Sequence, residues 1–366
     1  MKRLESLDAL RGFDMLWIMG APGIIEALKQ LWGGDFLVWA SHEMHHAEWH
    51  GLTIMDLVFP TFLFIAGCSF SLSLAKRREN GETNRRIYKH IGVRTCWMIL
   101  LGCVYNGLLA FDFDNMRYAS VLGRIGLAWM FAALVVMHVS NRKVRLLLPL
   151  AILLLYSLMI GTILAPDALP GTDIYSARGS VVGWMDRMFL PGKLYGGDFD
   201  PEGLLGIIPA VSTALLGMAT GEVLLNKKGY TGSRICGLLA IYGSLLLSLG
   251  MIWSLFEPIN KSLWSGSFTL ISGGIALVFL LLFYWLIDIR GYKKWAFFFR
   301  VIGVNSLIIY LGQCIIDFGG IAHYFIGGLA SLFEKEVSAL ILSLGYVSVC
   351  WFFLYFLYKQ KVFLKI

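Results

Sequence analysis

RKVRLLLPLAILLLYSLMIGTILA, residues 142–165, decides the fold class. From Leu146 to Ala165 it holds no charged side chain, and Arg142, Lys143 and Arg145 stand just before it. A helix needs about 20 apolar residues to cross the hydrocarbon core of a bilayer. Runs of this kind recur along the whole chain, and the composition agrees. Of 366 residues 57% are hydrophobic and only 15% charged, with a mean hydropathy of +0.69. A soluble domain has roughly a quarter of its residues charged. A soluble enzyme, a disordered chain and a nucleic-acid-binding module are therefore excluded, and the net charge of +7 has to be explained by a membrane.

Apolar runs fall at 7–28, 52–75, 91–111, 120–139, 144–165, 203–225, 234–255, 266–288, 297–318 and 338–358. A short glycine-rich stretch at 319–333 reads as re-entrant or interfacial. Only helices satisfy their own backbone groups locally in hydrocarbon. The expected fold is all-α: one domain over residues 1–366, a polytopic integral membrane bundle of about 10–11 transmembrane helices.

Basic residues set the expected orientation. The connections Lys76–Arg94, Arg142–Arg145, Lys227–Arg234 and Arg290–Arg300, with both termini, hold 22 of the 31 Lys and Arg. Acidic residues such as Asp198, Asp200 and Glu202 gather in the alternate connections. Both termini are expected to be cytoplasmic. The inner loops, short and basic, suit anionic-lipid contact or the docking of a phosphate-rich cosubstrate. The outer side carries the longest connections, 29–51 and 166–202. Six cysteines (68, 96, 103, 236, 314 and 350) all lie in apolar runs without metal-ligand spacing; they read as packing residues, and no metal site is expected.

Four of the seven histidines fall within nine residues: His42, His45, His46 and His50, just before the second span. A positioned histidine is the default general base near neutrality. A solvated polar loop is the bland alternative, and His42/His46 at i, i+4 would suit a metal if helical. Asp56, ten residues beyond His46, can orient it only if the loop folds back. Ionisable residues inside spans usually face a bundle interior or a cavity: here Asp8, Arg11, Asp14, Asp56, Arg124, Glu222 and Asp317. Asp8 and Asp14 lie three residues either side of Arg11 and can pair with it. On the outer side, Asp198-Phe-Asp-Pro-Glu202 leads into the sixth span, either as a helix cap or as a sugar-binding group. Asn260, Lys261 and Trp264 form either an interfacial turn or a surface that hydrogen-bonds and stacks on a sugar.

Several segments in order along the chain together resemble the heparan-α-glucosaminide N-acetyltransferase family of multispan acyltransferases. They are Arg3-Leu-Glu-Ser-Leu-Asp-Ala-Leu-Arg-Gly12, His46-Ala-Glu-Trp-His-Gly-Leu-Thr-Ile-Met-Asp-Leu-Val-Phe-Pro60, Leu122-Gly-Arg-Ile-Gly126, Asp198-Phe-Asp-Pro-Glu-Gly-Leu-Leu-Gly206, Asn260-Lys-Ser-Leu-Trp264, Gly303-Val-Asn-Ser-Leu-Ile-Ile-Tyr310 and the closing Phe363-Leu-Lys-Ile366. The second block is the most specific. The resemblance implies acetyl transfer from cytoplasmic acetyl-CoA to the amine of a terminal glucosamine across the membrane, with His46 as the active-site histidine. It also implies a bacterial member without the lumenal N-terminal domain, in the cytoplasmic (inner) membrane. Where animal members carry an Asn and a Gly-His, this chain has Ala21-Pro22-Gly23 and Gly312-Gln313.

On this reading His46 is the catalytic base or acetyl acceptor and Asp56 its orienting carboxylate. Arg11, Arg94, Arg124 and Asn305 would hold acetyl-CoA, the cosubstrate. Asp198, Glu202, Asn260, Lys261 and Trp264 would hold the sugar. Membrane lipid is an expected partner, a homodimer a conceivable one, and nucleic acid is not. The competing readings are an O-acyltransferase of a cell-surface polysaccharide and, from a different class, a proton-coupled transporter of a sugar or organic anion.

Overall fold

The second apolar run, expected at 52–75, forms the central helix of the bundle. In the computed structural model, which describes residues 4–225 and 229–364, it runs from Ile54 to Glu79. Arg3, Lys227 and the closing Lys365-Ile366 lie outside the described residues. The described chain is helical, in this order: α1 (Glu5–Met19), α2 (Ala21–Trp32), α3 (Asp35–Glu43), α4 (Ile54–Glu79), α5 (Asn84–Tyr105), α6 (Val121–His138), α7 (Arg142–Thr162), α8 (Val181–Phe189), α9 (Ile207–Leu224), α10 (Gly232–Trp253), α11 (Gly266–Phe283), α12 (Ala296–Val304), α13 (Ser306–Ile315), α14 (Phe318–Ala330) and α15 (Lys335–Lys359). A π-helical turn, Tyr284–Ile289, extends α11.

Among the described residues seven helices are long and apolar enough to cross a membrane, and an eighth span arises if α12 and α13 count as one bent pair. The remaining two of the ten expected spans have specific reasons for falling short. The first breaks at Gly20, whose φ of +129° ends α1 after 15 residues and starts the 12-residue α2. The third, α5, is 22 residues long but opens Asn-Arg-Arg-Ile-Tyr-Lys-His, so its first half is polar. The ninth expected span bends by 67° at Asn305 between α12 and α13. The 319–333 stretch is mostly α14, a 13-residue apolar helix packed on α15.

Burial separates centre from perimeter. Within its span window α9 is 72% buried, whereas α15 is 17% buried. Lipid offers no hydrophobic force to press helices together, so the central contacts rely on close backbone approach at small residues. At the α4–α9 crossing a Cβ on Gly67 would sit 2.3 Å from the Ala214 carbonyl oxygen, and one on Gly217 2.1 Å from that of Phe64. At the α1–α12 crossing a Cβ on Gly12 would sit 1.7 Å from the Phe299 carbonyl oxygen, and one on Gly303 1.8 Å from that of Asp8. Both crossings bear on function, because Gly303 and residues of α1 and α4 line the main cavity.

Gly12→Val should force α1 and α12 apart and cost about 1–3 kcal/mol or more through overpacking. A thermal melt in detergent should show a clear fall in Tm. Gly237→Ala, at a helical position with nothing within 4 Å, should melt like the parent protein. Equal melting of the two variants would refute the close crossing.

Candidate active site

The loop between α3 and α4, residues 44–53, folds back over the first turn of α4 and delivers His46 to Asp56. The His46 Nδ1–H donates to Asp56 Oδ1 at 2.8 Å; an ionised carboxylate is acceptor-only, so it selects the tautomer with the proton on Nδ1 and leaves Nε2 as a base. The other oxygen, Asp56 Oδ2, accepts from the Ala47 N–H at 3.2 Å, the Thr53 N–H at 3.2 Å and the Thr53 hydroxyl at 3.0 Å. The bond to the Thr53 N–H is the capping-box contact of an N3 carboxylate. Here the same side chain closes the loop. Glu43 Oε2 accepts from the Ile54 N–H at 3.0 Å, a second tie across the loop.

Lys261 completes the cluster from the turn between α10 and α11. Its Nζ lies 3.1 Å from Asp56 Oδ1 and 3.0 Å from His46 Nδ1. Because that ring nitrogen already gives its proton to Asp56, the ammonium's hydrogen bond goes to the carboxylate, and its approach to the ring is a charge contact. Asp56 is 1% exposed and His46 is 54% exposed: the carboxylate is sealed and the imidazole faces open space. The other histidines of the cluster do not converge on it. His45 Nδ1 meets the Ser41 carbonyl at 2.9 Å, His50 lies 3.4 Å from Asn260 Nδ2, and the His42 side chain is exposed. Among the described residues no group of three His, Cys, Asp or Glu is placed to hold a metal ion.

His46 opens into a cavity of about 500 Å³. Lys261 and Glu202 share its wall at the histidine end, and Arg11, Arg94 and Asn305 line the other end. Along α4 the lining runs from Met55 to Ser69, about 21 Å at the rise of an α-helix. Arg11 donates to the Ser69 hydroxyl at 3.0 Å and pairs with Asp8 at 3.5 Å, as the i, i+3 spacing predicted. Arg94 lies over the Trp129 ring at 4.2 Å. Asn305 stands at the α12–α13 bend; its amide nitrogen donates to the Val362 carbonyl at 3.0 Å, while its Oδ1 is buried with no partner among the described residues.

Four residues expected at the site sit elsewhere. Arg124 is buried, donates to the Gly203 carbonyl at 2.8 Å and stacks 5.3 Å over Trp264; it braces the segment leading into α9. Trp264 is wholly buried, with its indole N–H on the Thr213 hydroxyl at 3.3 Å, so its ring packs in the core and offers no face for a sugar. Asn260, also wholly buried, shapes the turn that carries Lys261: its Oδ1 accepts from the Leu263 N–H at 2.8 Å and its own N–H donates to the Ser265 hydroxyl at 3.0 Å. Asp198 pairs with Arg178 at 3.2 Å in the connection between α7 and α9. Asp14, expected to share Arg11, keeps a buried Oδ2 without a partner among the described residues.

The connections at residues 106–120, 163–206 and 254–265 hold the histidine loop in place. The Trp49 indole donates to the Tyr175 carbonyl at 2.7 Å, and the Gly51 N–H donates to the Ile259 carbonyl at 2.8 Å. Arg117, a residue not singled out in the sequence, joins Asp200 at 2.7 Å and Glu202, and these carboxylates hold its guanidinium more basic than usual against the opposing effect of burial. Asp186 accepts from the Leu204 N–H at 2.9 Å and the Asp200 N–H at 3.2 Å; burial pushes its carboxyl up to about 6.

Residues 3–106 match a family described as a domain of unknown function, DUF5009. The chain also aligns with heparan-alpha-glucosaminide N-acetyltransferase from Homo sapiens, at 27% identity over 415 aligned residues, and with the Mus musculus protein at the same identity. Each alignment covers 100% of this chain and 60% of the relative. The resemblance read from scattered blocks thus extends over the whole chain, which is similar throughout to heparan-alpha-glucosaminide N-acetyltransferase and spans about 60% of its length.

Proposed function

We propose that the protein is a transmembrane acetyltransferase that carries an acetyl group from cytoplasmic acetyl-CoA to the amine of a glucosamine-type sugar on the opposite side of the membrane. The observation that carries this reading is the single cavity, with His46 at one end and Arg11, Arg94 and Asn305 at the other. Its extent along α4, about 21 Å, is most of the roughly 30 Å hydrocarbon core. The similarity to an N-acetyltransferase over the entire chain supports the reaction class. The one-sided placement of 22 of 31 basic residues supports cytoplasmic termini and an arginine-bearing mouth on the cytoplasmic side, in the inner membrane of a bacterium.

Arg11 and Arg94 hold the anionic part of acetyl-CoA, since desolvated guanidinium groups bind phosphate strongly. The unpartnered Asn305 Oδ1 accepts an amide N–H of the pantetheine arm. At the far end His46 Nε2 takes a proton from the acceptor amine. The amine nitrogen attacks the thioester carbonyl carbon, the new C–N bond forms as the carbonyl electron pair moves to oxygen, and the C–S bond breaks as the carbonyl re-forms. The proton passes from His46 to the departing thiolate, so the enzyme ends as it began. Asp56 keeps Nδ1 protonated throughout, and the Lys261 ammonium lies beside the position where negative charge develops on the carbonyl oxygen. Glu202, on the same cavity wall and paired with Arg117, attracts the sugar in its ammonium form, which releases one proton to water before the neutral amine gives its second proton to His46.

Purified protein given labelled acetyl-CoA and glucosamine should acetylate the sugar. His46→Ala should lower kcat by about 10²–10⁴-fold, the usual contribution of a general base. Asp56→Asn should lower it by about 10–100-fold by releasing the tautomer. Arg94→Gln should raise the acetyl-CoA KM about tenfold, as for one lost charge-assisted bond, with a smaller change in kcat. Transfer to a polysaccharide hydroxyl in preference to glucosamine, or full activity of His46→Ala, would refute the proposal.

A further inference from the structure

The bundle has a second large cavity, of about 840 Å³, that the transfer chemistry does not use. It lies at the end of the bundle where α4 finishes, α7 begins, α9 finishes and α10 begins. No lining residue is shared with the His46 cavity: Phe62, Ala66 and Ser69 of α4 face the latter, and Ser71, Leu74 and Arg78 face this one. We propose that this cavity is a binding site for an anionic glycerophospholipid, with the headgroup phosphate held by Arg78 and Lys143 and the acyl chains lying between α7 and α10.

The charge is unbalanced in the right direction. Four cations line the cavity (Arg78, Arg142, Lys143 and Arg145) against two carboxylates, Glu79 and Glu222. Glu222 is already engaged, 2.6 Å from Arg145 and 3.7 Å from Arg142. Arg78 reaches only the Met137 sulfur, at 3.8 Å, and the Lys143 ammonium has no carboxylate partner among the described residues. Among the described residues, Arg78 and Lys143 thus face the hollow outside those ion pairs, with Glu79 the one lining carboxylate left against the two of them.

The shape distinguishes a lipid from a soluble phosphate. α7 packs mainly on α9 and α10 mainly on α11, and both helices contribute residues to the wall of this cavity. Its wall continues from the basic end through Leu146, Leu238 and Tyr242. It passes onto the two helices whose span windows are among the least buried, 22% for α7 and 28% for α10. A hollow that is cationic at the membrane surface and apolar where it opens sideways fits an amphiphile with an anionic head. A free phosphate or nucleotide would leave the apolar wall uncovered.

The test is native mass spectrometry of the full chain, titrated with phosphatidylglycerol or phosphatidylcholine in detergent. Phosphatidylglycerol should bind as a discrete adduct and phosphatidylcholine should not. Arg78→Gln/Lys143→Gln should weaken the adduct about thirtyfold, and Lys143→Gln alone about fivefold, at about 1 kcal/mol for each basic residue at the surface. Lys143 is on an exposed first turn, so the single variant stays informative if the double variant folds poorly. Equal binding of the two lipids, an unchanged adduct in Lys143→Gln, or displacement of the lipid by inorganic phosphate alone would overturn the proposal. None of these readouts depends on the acetyl-transfer reading.

Discussion

The buried Asp56 carboxylate is the constraint on which the site depends. It accepts from five donors: the His46 ring, the Lys261 ammonium, the Ala47 and Thr53 N–H groups and the Thr53 hydroxyl. A lone carboxylate at the first turn of a membrane helix would carry a heavy desolvation cost. Here each donor that offsets that cost also fixes something useful. The loop N–H groups set the path of 44–53, the imidazole takes one tautomer, and Lys261 joins α10–α11 to α4. Stability and catalytic geometry are therefore not separable at this position. Removing the carboxylate would leave a partly buried ammonium and two backbone donors without their partner.

That anchor matters because the rest of the bundle leaves open space beneath it. The helices around His46 approach closely where glycines permit, as at the α1–α12 and α4–α9 crossings, while between α1, α4, α5 and α13 they leave the long cavity. The bend at Asn305 serves the same arrangement. A continuous helix through 297–318 would carry its backbone groups in i→i−4 bonds. The break instead presents a side-chain amide to the cavity, one end held by Val362 and the other open. On the proposed reading, an acyl donor and an amine acceptor arriving from opposite sides would use this passage, with His46 held at its end by Asp56.

Much of this was legible in the sequence. Long uncharged runs announced helices because hydrocarbon leaves the backbone no alternative, and the histidine cluster stood out by density alone. Where reading along the chain failed, the cause was a partner distant in sequence. Lys261 was placed with the sugar, yet it sits 215 residues from His46 and on the same carboxylate. Trp264 and Asn260 share its turn and read as a polar aromatic surface, but a turn that delivers one side chain outward buries its neighbours to do so. Arg124 was read as a ligand contact; Gly203 and Trp264 claim it. Gly20 carried the one local signal that was missed, since a glycine inside an apolar run can end a helix through positive φ. Nothing in the residues around Asn305 marks the bend between α12 and α13.

The central claim is that one cavity joins a donor on one side of the membrane to His46 on the other. Sealed liposomes containing oriented protein, with labelled acetyl-CoA trapped on the arginine-lined side and glucosamine supplied only on the His46 side, test it directly. Labelled N-acetylglucosamine should appear on the His46 side, free acetyl-CoA should stay where it was trapped, and His46→Ala should abolish the transfer. Product forming only when both substrates are on the same side, or acetyl-CoA itself escaping to the His46 side, would contradict it.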